Sequence, residues 1–433
     1  MRKLKQEIKE RIDMINRGEI PEGYKKTKVG IIPVDWEVKK LKDISNINSK
    51  SLDNSVDKNC MFYYYDLSCV DNGNIKHPNE KISFNSLPSR ARRIFNTNDI
   101  LMSTVRPYLK GFAKASFETS DCICSTGFAV ISSKNINDID LIYQNLFSYE
   151  IEKQINSLLV GSNYPAINNK DVQNLKIPYS TKQYERKAIG KILSTWDNAM
   201  ALKEKLLEQK KQQKKGLMQN LLTGKVRLPG FDGEWKKVEL GDIVECYNSK
   251  SLEKYFNQET GLKVISIGNY SVDGTYIDKG ILVELNEETK KYVLNKNDLA
   301  MVLNDKTKEG RIIGRVLLID EDNKYIFNQR TARLVVNNEL VLSKYLYYLI
   351  NSDEFHRKIF SISQGGTQIY INIKPLLRLN TRIPGLLEQE SISNFLDAMS
   401  KEIKLLEKEL EALKEQKKGL MQLLLTGKVR VKV

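Results

Sequence analysis

The sequence holds 433 residues, 41% of them hydrophobic, with 69 basic against 54 acidic side chains and a net charge of +15. That length suggests two or three domains, and the hydrophobic share supplies real cores and speaks against a disordered chain. The basic excess points to a polyanionic partner, most often nucleic acid, although many basic proteins bind none.

Residues 3–17 read as a short amphipathic helix, with Leu4, Ile8, Ile12 and Ile15 on one face and Gly18 as its stop. It either docks that stripe or remains a solvated arm. A loop with Pro21, Gly23, Gly30 and Pro33 follows, and from Val34 the pattern turns strand-rich. Residues 33–44 carry Trp36 and Asp43; Asn48-Ser49-Lys50-Ser51-Leu52 comes next, then a tight hairpin turn around Gly73. Asn98-Asp99 is a turn before a buried strand, residues 141–159 read as a helix, and residues 161–168 form a polar loop after Gly161. Ile177-Pro178 then leads into a long helix.

The whole order returns. Trp235 and Asp242 answer Trp36 and Asp43, residues 248–252 repeat Asn-Ser-Lys-Ser-Leu, Gly274 answers Gly73, and Asn297-Asp298 answers Asn98-Asp99. A helix near residues 343–359, a loop after Gly365 and Ile383-Pro384 complete the second pass. The repeat is closest where each long helix ends: residues 216–227 and 419–430 differ only at Asn220 against Leu423.

In the second long helix Ile392, Leu396, Met399, Ile403, Leu406, Leu410, Leu413, Lys417, Leu420 and Leu424 follow alternating steps of four and three, a heptad seam for a partner helix. The first places Ile189, Leu193, Trp196, Met200, Lys203, Leu207, Lys210, Lys214, Leu217 and Leu221 there. Its three lysines weaken self-pairing and suit an antiparallel partner with carboxylates, such as the Glu407–Glu409–Glu411 region. Thr223-Gly224 and Thr426-Gly427 supply left-handed helix stops followed by Lys and Arg. About forty residues at ~1.5 Å each make a rod of roughly 60 Å.

The expected organisation is an N-terminal helix and arm (1–27), a globular domain (28–182), a long helix (183–226), a second globular domain (227–385) and a second long helix (386–433). The globular halves match in skeleton and differ in most loop residues. One scaffold with two readouts has that form, and so does a scaffold with two protein-binding faces.

No catalytic constellation emerges. His77 and His356 stand without a cysteine or carboxylate pattern and read as surface residues, and no phosphate loop or dinucleotide fingerprint is present. Residues 304–310 offer only a weak nuclease-like pattern of acid and lysine side chains. No metal site is expected: the five cysteines (Cys60, Cys69, Cys122, Cys124, Cys246) lack paired spacing and fit a reducing compartment. No apolar run reaches membrane-spanning length and the charge-studded first residues are no secretory signal, so a cytoplasmic location without a membrane partner is expected.

The halves do carry basic, aromatic and amide side chains in loop-like segments. In the first these are Lys50, Tyr64, Arg90, Arg92, Arg93, Arg106, Lys110, Asn163 and Tyr164; in the second, Lys250, Lys306, Lys308, Arg311, Gln329, Arg330, Gln368 and Tyr370. Arginine can take two guanine acceptors and an amide can pair with adenine, while lysines hold phosphates. For any single residue a solvated surface role is as good a reading.

The Ile-Pro-Val-Asp-Trp opening, the duplicated helix end at residues 214–227 and 417–430, and the Gly161 and Gly365 loops running into Ile-Pro and a Glu/Gln-rich helix start resemble the specificity subunit of type I restriction–modification systems. The second copy has Glu388-Gln389 at that start; the first departs from it with Glu185-Arg186. The resemblance spans nearly the whole chain. It implies an α+β protein: two similar globular α/β target-recognition domains separated by two long antiparallel coiled-coil helices in an internal pseudo-twofold repeat. Each domain is then expected to read one half of a bipartite double-stranded DNA site, with the helices setting the spacing. The chain itself would be non-catalytic and bind no cofactor. Two modification (methyltransferase) subunits, with S-adenosylmethionine on them, and restriction subunits are the expected partners. The competing readings are a coiled-coil scaffold with two protein-binding heads and a self-contained DNA methyltransferase or nuclease.

Overall fold

The runs Ile100-Leu101-Met102 and Leu299-Ala300-Met301 stand at the centre of two sheets, and each is buried on both faces. In this computed structural model, residues 2–53, 55–161 and 163–431 are described. Leu4 of the N-terminal stripe and Ser162 of the first polar loop lie, with respect to their side chains, outside the described residues. The chain divides into two compact units, Met1–Glu204 with Glu409–Val433 and Lys205–Lys408, so the division runs through both long helices and not at their ends.

In the first unit Ile100–Ser103 lies between Phe112–Lys114 and Phe128–Ser133, with Ser45–Ile47 at the far edge, all antiparallel. Alternate side chains explain the double burial. Ile100, Met102, Ala129 and Ile131 pack on the helices Ile139–Leu146 and Tyr149–Leu158. Leu101, Ala113 and Val130 point the other way, onto a second sheet that supplies Tyr65, Cys122 and Cys124. That sheet joins Met61–Tyr65 to Cys122–Ser125 in parallel, with Ala91–Ile94 and Ile82–Ser83 at its edges.

The second unit repeats this topology. Leu299–Val302 sits between Val316–Leu318 and Thr331–Val336, with Val244–Asn248 outside, and its second sheet again has one parallel pair, Leu262–Ile265 with Tyr325–Phe327. Leu299 and Met301 face the helices; Ala300 and Val302 face the second sheet. The helix expected near 141–159 is two helices, and so is that near 343–359, which forms as Ser343–Ile350 and Asp353–Ser361. Each break has a cause in the sequence: Ser148 and Ser352 cap the second helix through the N–H of Ile151 (3.3 Å) and Phe355 (3.2 Å). The turn at Asn72-Gly73 has positive φ at both residues, the form that matches strand twist in a two-residue hairpin.

The long helices are Gln183–Leu221 and Leu386–Leu424, 39 residues each. They run antiparallel, and within each unit the start of one packs beside the end of the other. Ile189, Leu193, Leu420 and Leu424 share a cluster with Trp36 in the first unit; Leu217, Leu221, Ile392 and Leu396 share one with Trp235 in the second. Met399, Leu406 and Leu410 are buried, while Trp196, Met200, Leu207, Ile403 and Leu413 are partly covered. Of the seam lysines, Lys203 meets Glu409 at 2.6 Å and Lys210 meets Glu402 at 2.7 Å. Among the described residues Lys214 makes no ion pair; its ammonium lies 5.7 Å from the centre of the Tyr348 ring.

The duplicated helix ends are clasps. Gly224 and Gly427 take positive φ, and Val226 and Val429 donate back to Asn220 and Leu423, turning the chain so that an arginine follows. Arg227 forks onto Glu388 at 2.5 and 2.6 Å. Arg430 forks onto Glu185 at 2.6 and 2.9 Å and onto Asp35 at 2.9 Å twice. Ser180 and Trp36 also donate to Glu185, which is 1% exposed. No helix among the described residues is long and apolar enough to cross a membrane.

Candidate nucleic-acid interface

In each unit the loop leaving the central strand meets the glycine-containing loop, because a short antiparallel pairing ties them. In the first unit Val105 bridges Ala166, and the Arg106 N–H donates to the Pro165 carbonyl at 2.7 Å. The Arg106 guanidinium then lies 4.5 Å from the Tyr164 ring centre and donates to the Asn163 carbonyl at 3.0 Å. Arg106, Asn163 and Tyr164 therefore form one group, with Lys110 a turn away, paired to Glu152 at 2.9 Å. Arg106 and Lys110 hold positive φ, so this loop keeps a strained shape fixed by its neighbours.

The turn after Cys122–Ser125 joins a second group to the first. Gly127 accepts from the Thr104 N–H, and Arg90 accepts from the Thr126 N–H, both at 2.8 Å. Arg90 and Lys50 are exposed beside it. Arg92 lays its guanidinium 5.0 Å from the Phe84 ring centre. Tyr64 is half-buried, and burial raises its phenol above the usual range.

Arg93 is a correction. It is 9% exposed, and its guanidinium donates to Asn48 at 2.7 Å and to the Phe128 carbonyl, so it braces the sheet and is not available to DNA. A period-two strand at residues 91–94 turns alternate residues inward, and Arg93 falls on the inward set.

In the second unit Asn304–Asp305 pairs with Ile369–Tyr370, which sets the segment that continues into Lys306, Lys308 and Arg311 beside the one that carries Gln368 and Tyr370. Asp305, an acid of the weak nuclease-like pattern, is 4% exposed and engaged internally. It accepts from the Thr307 N–H and hydroxyl at 2.9 Å and the Ile312 N–H at 3.0 Å, fixing the lysine-bearing loop. Among the described residues no group of three or more metal-ligating side chains assembles. The turn 327–330 has the place of the 125–127 turn: Arg330, at positive φ, accepts from the Leu303 N–H, and Ser249 donates to Phe327, placing Lys250 beside it. Gln329 is tied to Glu253 at 3.0 Å.

His356 departs from its surface reading. Its ring is largely covered beneath residues 310–314, and burial, then Arg315, lowers its pKa to about 4. His77 is exposed as expected. Sequence reasoning missed Asp35 and the loop-fixing role of Asp305; the Asp-Lys-Thr spacing of residues 305–307, which suits a local side-chain-to-backbone turn, was the available signal for the latter.

Two heads built on one scaffold carry different basic, amide and aromatic side chains around an equivalent turn, the form of a tandem recognition protein. The chain matches the family described as Type I restriction modification DNA specificity domain over residues 33–212 and again over 232–415, and it belongs to that family. It is 29% identical over 423 residues to the type I restriction enzyme MjaVIII specificity subunit of Methanocaldococcus jannaschii, covering 93% of this chain and 94% of the relative. A putative MjaX specificity subunit of the same organism is 28% identical over 439 residues, with 95% and 97% covered. Among solved structures, a chain from work on assembly and conformational transition of the type I R-M system has TM-score 0.59 at 21% identity, covering 92% of this chain and 99% of that one. The S subunit of a type I system from M. genitalium has TM-score 0.57 at 13% identity, covering 90% and 96%. These two likenesses show the shared fold.

Proposed function

We propose that each head reads one half of a bipartite double-stranded DNA site and that the paired helices fix the gap between the halves. Methylation and cleavage then belong to separate modification and restriction subunits. Two modification subunits dock against the long helices and carry S-adenosylmethionine. The observation that supports this best is the pairing of one scaffold with two different loop sets: Arg106 with Tyr164 and Asn163 in one head, Lys308 and Arg311 with Gln368 and Tyr370 in the other. Base edges are read by such forked and amide side chains, and lysines supply phosphate contacts. A helical spacer suits a fixed gap, since each turn of helix is about 5.4 Å.

The test is binding of the full chain, with its co-purifying partners, to duplexes in which the two half-sites are moved apart base pair by base pair. One gap length should bind at least tenfold tighter than its neighbours. Equal binding at every gap would overturn the spacer, and binding that ignores both half-sites would overturn the reading as a whole.

A further inference from the structure

The two heads differ at one corresponding place. In the first, the Arg93 guanidinium fills the space between two amides, donating to Asn48 at 2.7 Å and reaching Asn169 at 3.4 Å. The repeat equates Asn48 with Asn248 and Asn169 with Ile373, and no arginine is among the described residues that line the corresponding space in the second head. A cleft of about 530 Å³ opens there instead. Leu303, Ile371 and Pro375 contribute apolar surface to its lining, and Asn248 and Lys374 contribute polar groups. Asn248 and Lys374 are exposed, and neither side chain has a hydrogen-bond or ion-pair partner among the described residues.

The position is as telling as the content. Ile371 follows the pair Ile369–Tyr370, Leu303 precedes the loop bearing Lys306, Lys308 and Arg311, and Lys250 is two residues beyond Asn248. The cleft thus lies within the loops assigned above to DNA, and its size is that of a small-ligand site. An apolar floor suits a deoxyribose or base face, an unengaged amide suits a base edge, and a lysine suits a phosphate.

We propose that this cleft seats one nucleotide of the half-site read by the second head, and that the first head lacks the subsite because Arg93 occupies it. This rests on the DNA-reading function proposed above. The test uses the full chain with its partners and duplexes in which either half-site is scrambled. Asn248→Asp, which keeps size and adds a charge that repels phosphate, and Lys374→Ala should each weaken cognate binding about tenfold. The penalty for scrambling the second half-site should shrink, while that for scrambling the first stays unchanged. Variants that bind like the parent, or that lose both half-sites equally at an unchanged melting temperature, would overturn the subsite. A parent protein that ignores scrambling of either half would instead overturn the underlying reading.

Discussion

Replacing Arg430 with alanine removes the clasp between the end of the second long helix and the start of the first. Four donor contacts at 2.6–2.9 Å to Glu185 and Asp35 disappear, and Glu185, 1% exposed, keeps only Ser180 and Trp36 as donors. Deleting one partner of a buried ion pair costs about 3–5 kcal/mol, because the remaining charge stays buried. Arg430 is itself 29% exposed on its side chain, so water replaces part of the loss and the lower end, about 3 kcal/mol, applies. For a unit of this size that lowers its melting temperature by about 6–12 °C. Differential scanning calorimetry of Arg430→Ala, Glu185→Gln and the double variant measures it. The double variant should lose less than the sum of the two single losses, since the neutral amide no longer needs the guanidinium. A single-variant shift below about 2 °C, or strict additivity, would refute the clasp as a stabilising element.

Other outcomes follow from the same geometry. The His356 pKa is depressed from 6.5 to about 4, so its stabilising contribution is complete above 6.5 and is lost as pH falls towards 4; urea titrations should show that slope, and His356→Asn should flatten it. Glu185 is pushed up by burial and pulled down further by Arg430, Ser180 and Trp36; its net pKa lies below the usual 4.5, so its contribution is lost only under more acid conditions. Gly310→Ala places a Cβ 2.5 Å from the Ile369 side chain and 2.8 Å from the Phe360 ring at a φ of +59°, so these side chains or the lysine-bearing loop must shift, and second half-site affinity should fall severalfold in a filter-binding assay. Lys306→Ala, Lys308→Ala and Arg311→Ala should each lower the slope of log affinity against log salt by about one if the residue touches a phosphate, and an unchanged slope excludes that residue. Leu406→Glu with Leu410→Glu puts charge at two buried seam positions and should abolish site-specific binding; retained specific binding would sink the spacer role.

Much of this architecture was legible because it is periodic and doubled. The heptad steps from Ile392 to Leu424 specify a helix with one covered face, and the repeated Thr-Gly stop marks where each helix turns. What the pattern could not show was where each arginine goes. Arg227 and Arg430 read as charges near a helix end, yet they reach Glu388 and Glu185, 161 and 245 residues away. The single helices expected after each sheet split at Ser148 and Ser352, since helix capping and helix interior share much the same apolar spacing. The loops were the least legible part. Arg93 and Arg92 are neighbours of identical chemistry, and only strand register sends one inward and leaves the other on Phe84. The open cleft at Asn248 was invisible because it depends on the absence of a counterpart to Arg93.

The most direct measurement is a methylation map of genomic DNA from the source cell, with and without this gene. The account predicts that methylation disappears at one bipartite motif, two short half-sites with a fixed gap, when the gene is removed. An unchanged map in cells whose modification subunits are expressed and active would contradict it.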